Sequence, residues 1–171
     1  MGTIHTGVVT MPLTVRDMTE ADLPELACFY SRFSLAKMPA ELERARTGIV
    51  DHVVVCTPAG VPVAKGAINW DEKPEAGVIW TLSVRAELRS IGIGTVLIQA
   101  SEDRIRARGL SRAEIGVEEN NPRARALYER LGYVAYGSEL ASWDQEEPDG
   151  TVRKYETTCT LLRKELRAGD A

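Results

Sequence analysis

The run Val78-Ile79-Trp80-Thr81-Leu82-Ser83-Val84 is apolar and rich in β-branched residues, and Gly92-Ile93-Gly94 follows it after a short polar stretch. A long helix is predicted from there, over about 92–108, with Gly109 as its C-terminal cap. This strand, glycine loop and helix constrain the fold more than any other feature. A strand so uniformly apolar belongs inside a sheet, with neighbours on both edges and cover on both faces.

The rest of the chain supplies those neighbours. Leu13-Thr14-Val15-Arg16 alternates and predicts a strand. Thr19 and Asp22 make a capping-box-like start to a helix with a stripe of Leu23, Leu26, Ala27 and Tyr30, and Pro24 lies near its start. A second short helix is predicted from Met38-Pro39 to about Arg46, with proline at the first helical position. Residues 53–56 and 61–68 flank Thr57-Pro58-Ala59-Gly60 and read as a hairpin. A short strand follows at 113–117. Asn121 and Pro122 then open a helix carrying Ala124, Leu127, Tyr128 and Leu131 on one face, and Gly132 ends it. Residues 133–140 and 155–162 predict a last hairpin around a turn at 145–150. Residues 1–11 read as a flexible tail and 164–171 as a polar one. The order β α α β β β α β α β β implies an α/β architecture of the mixed α+β kind, a single mixed sheet flanked by helices. The length of 171 residues fits one domain over 1–171.

Composition excludes several classes. No apolar run is long enough to span a membrane, and no secretory signal starts the chain, so a cytoplasmic protein without membrane partners is expected. The net charge of −4 disfavours a nucleic-acid partner. Cys28, Cys56 and Cys159 are odd in number and widely spaced, which argues against disulfides and zinc. Each reads as a small buried hydrophobe. His5 falls in the tail and His52 opens an apolar strand, where it reads as structural. No metal site is expected.

The loop after Val84 carries chemistry. Glycines allow close backbone approach, and a helix start offers unpaired N–H groups at the positive end of a dipole. Together they form an anion site suited to phosphate. A dinucleotide loop needs a third glycine, but Thr95-Val96-Leu97 follows Gly94; a P-loop needs Gly-Lys-Ser/Thr, which is absent. The pattern Arg89-x-x-Gly92-x-Gly94 instead resembles the pyrophosphate loop of the GNAT superfamily of N-acetyltransferases. Asn121-Pro122-x-Ala124-x-x-Leu127-Tyr128-x-x-x-Gly132-Tyr133 resembles that superfamily's next signature. The likeness runs from about residue 13 to 162 and is sharpest over 78–134.

The resemblance implies a mostly antiparallel, twisted sheet and an enzyme that moves an acetyl group from acetyl-CoA directly to a primary amine. It implies that the backbone at Leu82, Ser83 and Val84 holds the pantetheine arm. N–H groups of Arg89, Ser90, Ile91, Gly92, Ile93, Gly94 and Thr95 would hold the pyrophosphate, helped by the Arg89 side chain. Asn121 and Ala124 would border the arm, and Tyr128 would lie near the sulfur. A phenol of pKa about 10 is protonated at neutral pH and can donate to a departing thiolate of pKa about 8.5. A homodimer is compatible with the resemblance. A coenzyme A-binding regulatory or interaction module on the same fold is the alternative.

The acceptor side is less determined. Freeing an amine of pKa about 10.4 at pH 7.4 costs about 4 kcal/mol, so a base, a water chain or an apolar pocket must help. Val78-Ile79-Trp80-Thr81 brings no carboxylate, and Glu75, Glu114 and Glu118 read as surface charges, so no base is assigned. The acceptor pocket is expected from 30–45, 70–75 and the last hairpin. These segments carry Glu41, Glu43, Asp71, Glu72, Asp144 and Glu146, with Trp70, Trp80 and Trp143 as candidate walls. An antibiotic, a polyamine, an amino acid and a protein amine all remain open as acceptors.

Overall fold

Alternation and β-branching build seven strands: β1 (Thr14–Asp17), β2 (Val50–Cys56), β3 (Pro62–Asn69), β4 (Gly77–Val84), β5 (Arg112–Glu118), β6 (Val134–Glu146) and β7 (Val152–Glu165). In the computed structural model, which describes residues 6–166, they form one sheet in the order β1-β2-β3-β4-β5-β7-β6. Every neighbouring pair is antiparallel except β4 with β5. The strand predicted to be interior is central, and the mixed, mostly antiparallel sheet is as expected.

Helices cover both faces. α2 (Ile93–Ala107) and α3 (Pro122–Arg130) pack on one, where Ile68, Ile79, Ile98, Ile105, Ile115 and Leu162 close a core. The other face is covered by α1 (Arg32–Ala45) and a 3-10 segment over Glu20–Cys28, around Met18, Leu26, Met38, Leu42 and Val54.

Several expectations need correction. The first helix is not α-helical: Pro24 lacks the N–H an α-helical ladder needs, and the segment takes the tighter 3-10 winding. Its start is as read, with the Asp22 carboxylate accepting from the Thr19 N–H at 2.8 Å. Arg16 grips the same carboxylate at 2.6 and 2.8 Å and holds it below the usual carboxylate range. The second helix starts at Arg32, not at Met38-Pro39, because Ser31 caps it by accepting from the Ser34 N–H at 3.1 Å. Pro39 lies inside this helix at the cost of one ladder bond.

The last hairpin is longer than its apolar pattern, because β6 is exposed along most of its length and carries no buried periodicity to read. The polar tail begins later than expected. β7 runs to Glu165, Lys164 donates to Glu102 at 2.9 Å, and Leu166 is buried with its N–H on the Ser111 carbonyl. The remainder of that tail lies outside the described residues, as does His5. Residues 6–11 form no regular element. Cys28 is exposed, against the buried reading, whereas Cys56 and Cys159 are buried. No helix among the described residues is long and apolar enough to cross a membrane.

Candidate active site

The site begins with a defect in strand pairing. β4 pairs with β5 only through Gly77↔Ala113, Val78↔Glu114 and Ile79↔Ile115. Beyond Ile79 the two strands part. On its other edge β4 carries an extra residue: Trp80 pairs with Ala67 and Ser83 with Lys65, so Thr81 and Leu82 together oppose Gly66. Thr81 has φ of 52°, an unusual value for a β-branched residue. The bulge turns β4 away from β5 and leaves 80–84 facing a notch. Gly66 permits it, since a Cβ there would lie 2.7 Å from Leu82 Cδ2.

The loop after Val84 closes one side of that notch. Ser90 (φ 66°) and Gly92 (φ 97°) both take left-handed conformations, and Gly92 is the residue preceding α2. The N–H groups of Ser90, Ile91, Gly92, Ile93, Gly94 and Thr95 take no protein acceptor among the described residues. A cradle of consecutive free N–H groups at the start of a 15-residue helix has the chemistry to accept an anion. The two glycines serve different ends. Gly92 supplies a backbone angle and its missing side chain faces open space, whereas a Cβ on Gly94 would lie 3.3 Å from Leu127 Cδ2 and 3.9 Å from Val84 Cγ2. The end of β4, the start of α2 and the middle of α3 therefore meet at Gly94.

Two arginines define this loop. Arg89 Nε donates to the Val84 carbonyl at 3.2 Å, bracing the turn. Arg123, at the start of α3, donates to the Ser90 hydroxyl. Sequence reading missed Arg123, whose only signal was a basic residue two places after the cap Asn121.

α3 starts as predicted. Asn121 Oδ1 accepts from the Ala124 N–H at 3.1 Å, and its amide N–H groups have no partner among the described residues. Tyr128 is buried on the core face, its ring centroid 6.3 Å from that of Tyr133. Burial pushes its phenol up to about 12, so it is protonated across the neutral range.

On the opposite face of the sheet, Glu41, Arg44, Ile49, Val50, Asn69, Asp71, Glu72 and Trp80 line a cavity of about 220 Å³. Three of the acids singled out from sequence meet here beside one arginine, and Trp80 stands where β4 leaves β5. The others serve elsewhere. Glu43 pairs with Arg46 at 2.9 Å, Asp144 lies 3.9 Å from Lys37, and Glu146 accepts from the Phe33 N–H in the first turn of α1. Trp70 donates to Asp51 at 3.0 Å under the Arg108 guanidinium, and Trp143 packs at a tilt against Tyr155 with ring centroids 4.9 Å apart.

The three glutamates considered as bases separate clearly. Glu75 is exposed. Glu114 is buried where β4 and β5 still pair, and it binds Lys73 at 2.5 Å and the Tyr136 hydroxyl. Burial alone would raise its carboxyl, but these two partners hold it below the usual range. Glu118 is half-buried at the open end of β5 and accepts from the Tyr155 hydroxyl at 2.9 Å.

Comparison with known proteins agrees with this geometry. The model of the Acetyltransferase (GNAT) family matches residues 20–133, and the chain belongs to that family. It is 30% identical over 145 residues to an L-methionine sulfoximine/L-methionine sulfone acetyltransferase of Pseudomonas paraeruginosa, covering 74% of this chain and 83% of the relative. A mycothiol acetyltransferase of Beutenbergia cavernae is 42% identical over 70 residues, 40% of this chain; the chain spans only about a quarter of that relative's length, 24%. Among solved structures, a spermidine N-acetyltransferase of Vibrio cholerae in complex with CoA and spermine shares the fold at TM-score 0.68 and 16% identity, covering 90% of this chain and 95% of that one.

Proposed function

We propose that the protein is an N-acetyltransferase that passes an acetyl group from acetyl-CoA directly to a primary amine, with Tyr128 as the acid that protonates the leaving thiolate. One observation carries this reading: six unpaired N–H groups, from Ser90 to Thr95, sit beside the notch where β4 and β5 separate. A diphosphate fits the first, and the extended arm attached to it fits the second. The arm lies along Leu82, Ser83 and Val84, bordered by Asn121 and Ala124, and one backbone N–H of β4 polarises the thioester carbonyl. Arg89 and Arg123 bring positive charge to the diphosphate. All three cysteines lie outside these segments, in keeping with direct transfer rather than an acyl-enzyme.

The acceptor enters from the Trp80 face. Glu41, Asp71 and Glu72 against Arg44 suit a small amine with positive charge remote from the attacking nitrogen. The test is a panel of spermine, L-methionine sulfone and a lysine-containing peptide with acetyl-CoA, read by free-thiol release and by the mass of the product. Release above background hydrolysis is expected with one small amine. Binding of acetyl-CoA without release for any amine would make the protein a binding module instead.

Tyr128→Phe is expected to lower kcat by about 10²-fold while changing the acetyl-CoA Kd less than threefold. Equal turnover in the variant would remove Tyr128 from the chemistry.

A further inference from the structure

Lys65 lies in the middle of β3 and is 5% exposed. Its cross-strand partners are Val54 on β2 and Ser83 on β4, the latter in the segment that borders the notch. Gly66 points toward Leu97 of α2, so Lys65 points to the opposite face, which it shares with Ala67 and Asn69. Asn69 lines the acidic cavity, and Ala67 pairs with Trp80. Trp80 therefore forms the wall of that cavity nearest Lys65 along the sheet. Along β3, Lys65 and Ala67 are about 7 Å apart. The Lys65 Nζ lies 4.3 Å from the centroid of the Tyr30 ring. No hydrogen bond or counter-anion among the described residues acts on it, its one titratable coupling is with His52, and it is not one of the side-chain atoms sealed from solvent without a partner.

A buried cation with no counter-anion is costly, and this one sits on the acceptor face beside the arm-binding strand. We propose that Lys65, as its neutral amine, is the base that takes the proton from the attacking nitrogen. This rests on the acetyl-transfer reading and supplies the step that reading lacks. The acceptor nitrogen bonds to the thioester carbon and gives a proton to the Lys65 Nζ. The C–S bond then breaks, the thiolate takes the Tyr128 proton, and solvent returns both groups to their starting states. The products are the acetamide and the free thiol, and no oxidant or reductant is involved.

The electrostatics agree. Burial pulls the Lys65 ammonium down to about 8, so roughly a fifth is neutral at pH 7.4, against about one in a thousand for an ordinary amine. Its titratable neighbours are Tyr30 and His52. Tyr30, from the turn before α1, is pushed up to about 12 by burial and stays protonated. His52, from β2, is pulled down by burial and further by the Lys65 and Arg44 charges, against Glu41 and Asp51, and is neutral. Ser83 and Val54 do not titrate.

The test compares wild type, Lys65→Met and Lys65→Arg, using the panel amine with the highest turnover. The kcat/KM of the wild type is expected to rise with pH through an apparent pKa near 8. Both variants should fall by about 10²-fold and lose that limb, rising only as the free amine itself deprotonates; arginine cannot rescue because it does not give up its proton. Competitive acetic anhydride labelling of the wild-type protein, read by mass spectrometry, should place the Lys65 pKa near 8. A labelling pKa near 10.5, or a variant that keeps the limb, overturns the proposal alone. No thiol release by the wild type with any amine overturns the transfer reading and this proposal together.

Discussion

Gly92→Val is expected to raise the Kd for acetyl-CoA by at least about 100-fold in calorimetry, a loss of about 2.7 kcal/mol. Two effects act in the same direction. Gly92 sits at φ 97°, a region a β-branched residue avoids, so the peptide units on either side must rotate. That rotation breaks the alignment of the N–H groups from Ser90 to Thr95. If the backbone holds instead, the valine methyl groups project into space that no protein atom fills within 4 Å, over the start of α2 where the diphosphate is proposed to lie. Because Gly92 is exposed and outside the core, the fold should survive, with the thermal midpoint within a few degrees of wild type. Gly94→Ala is a useful contrast, because its Cβ meets Leu127 and disturbs the packing of α2 on α3. Unchanged acetyl-CoA affinity in Gly92→Val would separate the loop from the cofactor.

What could be read in the chain was what local chemistry dictates. Gly92, Gly109 and Gly132 all have positive φ, and their positions as helix boundaries followed from composition alone. Asn121 with Pro122 marked the start of α3 for the same reason. The failures lie where two local signals compete or where none exists. Pro39 looked like a helix start because proline is welcome there, yet Ser31 offered a better cap about two turns earlier and won. β6 has thirteen residues and almost no burial, so nothing in its pattern announced its length. The site divides similarly. The loop of free N–H groups was legible because its glycines and arginine sit in one short stretch. The cavity at Trp80 was legible only as loose acids, since β3, β4, α1 and the 71–72 turn meet there through tertiary pairing. Lys65 carried no signal: within Val63-Ala64-Lys65-Gly66-Ala67 it reads as the polar interruption of a strand, and only the sheet's cover on that face shows that it is buried.

Lys65→Met is expected to stabilise the protein by about 2 kcal/mol at pH 7, measured by urea unfolding. The lysine ammonium falls from 10.5 to about 8 on folding, and at about 1.4 kcal/mol per unit this burial costs about 3 kcal/mol. The contact with the Tyr30 ring returns about 1 kcal/mol. Methionine fills a similar volume without the charge. The sign with pH follows from linkage. Below pH 8 both folded and unfolded wild type hold the proton, so the full cost is present. Between pH 8 and 10.5 the unfolded chain still binds the proton and the folded one does not, so wild-type stability rises with pH relative to the variant. The gap between the two proteins should therefore close over that window. A gap that is absent at pH 7, or that does not change between pH 7 and 10, would show that the Lys65 amine is not desolvated in the folded state, and its retention on the acceptor face would then need no catalytic reason. A stabilised but slow variant would instead show stability given up for proton transfer.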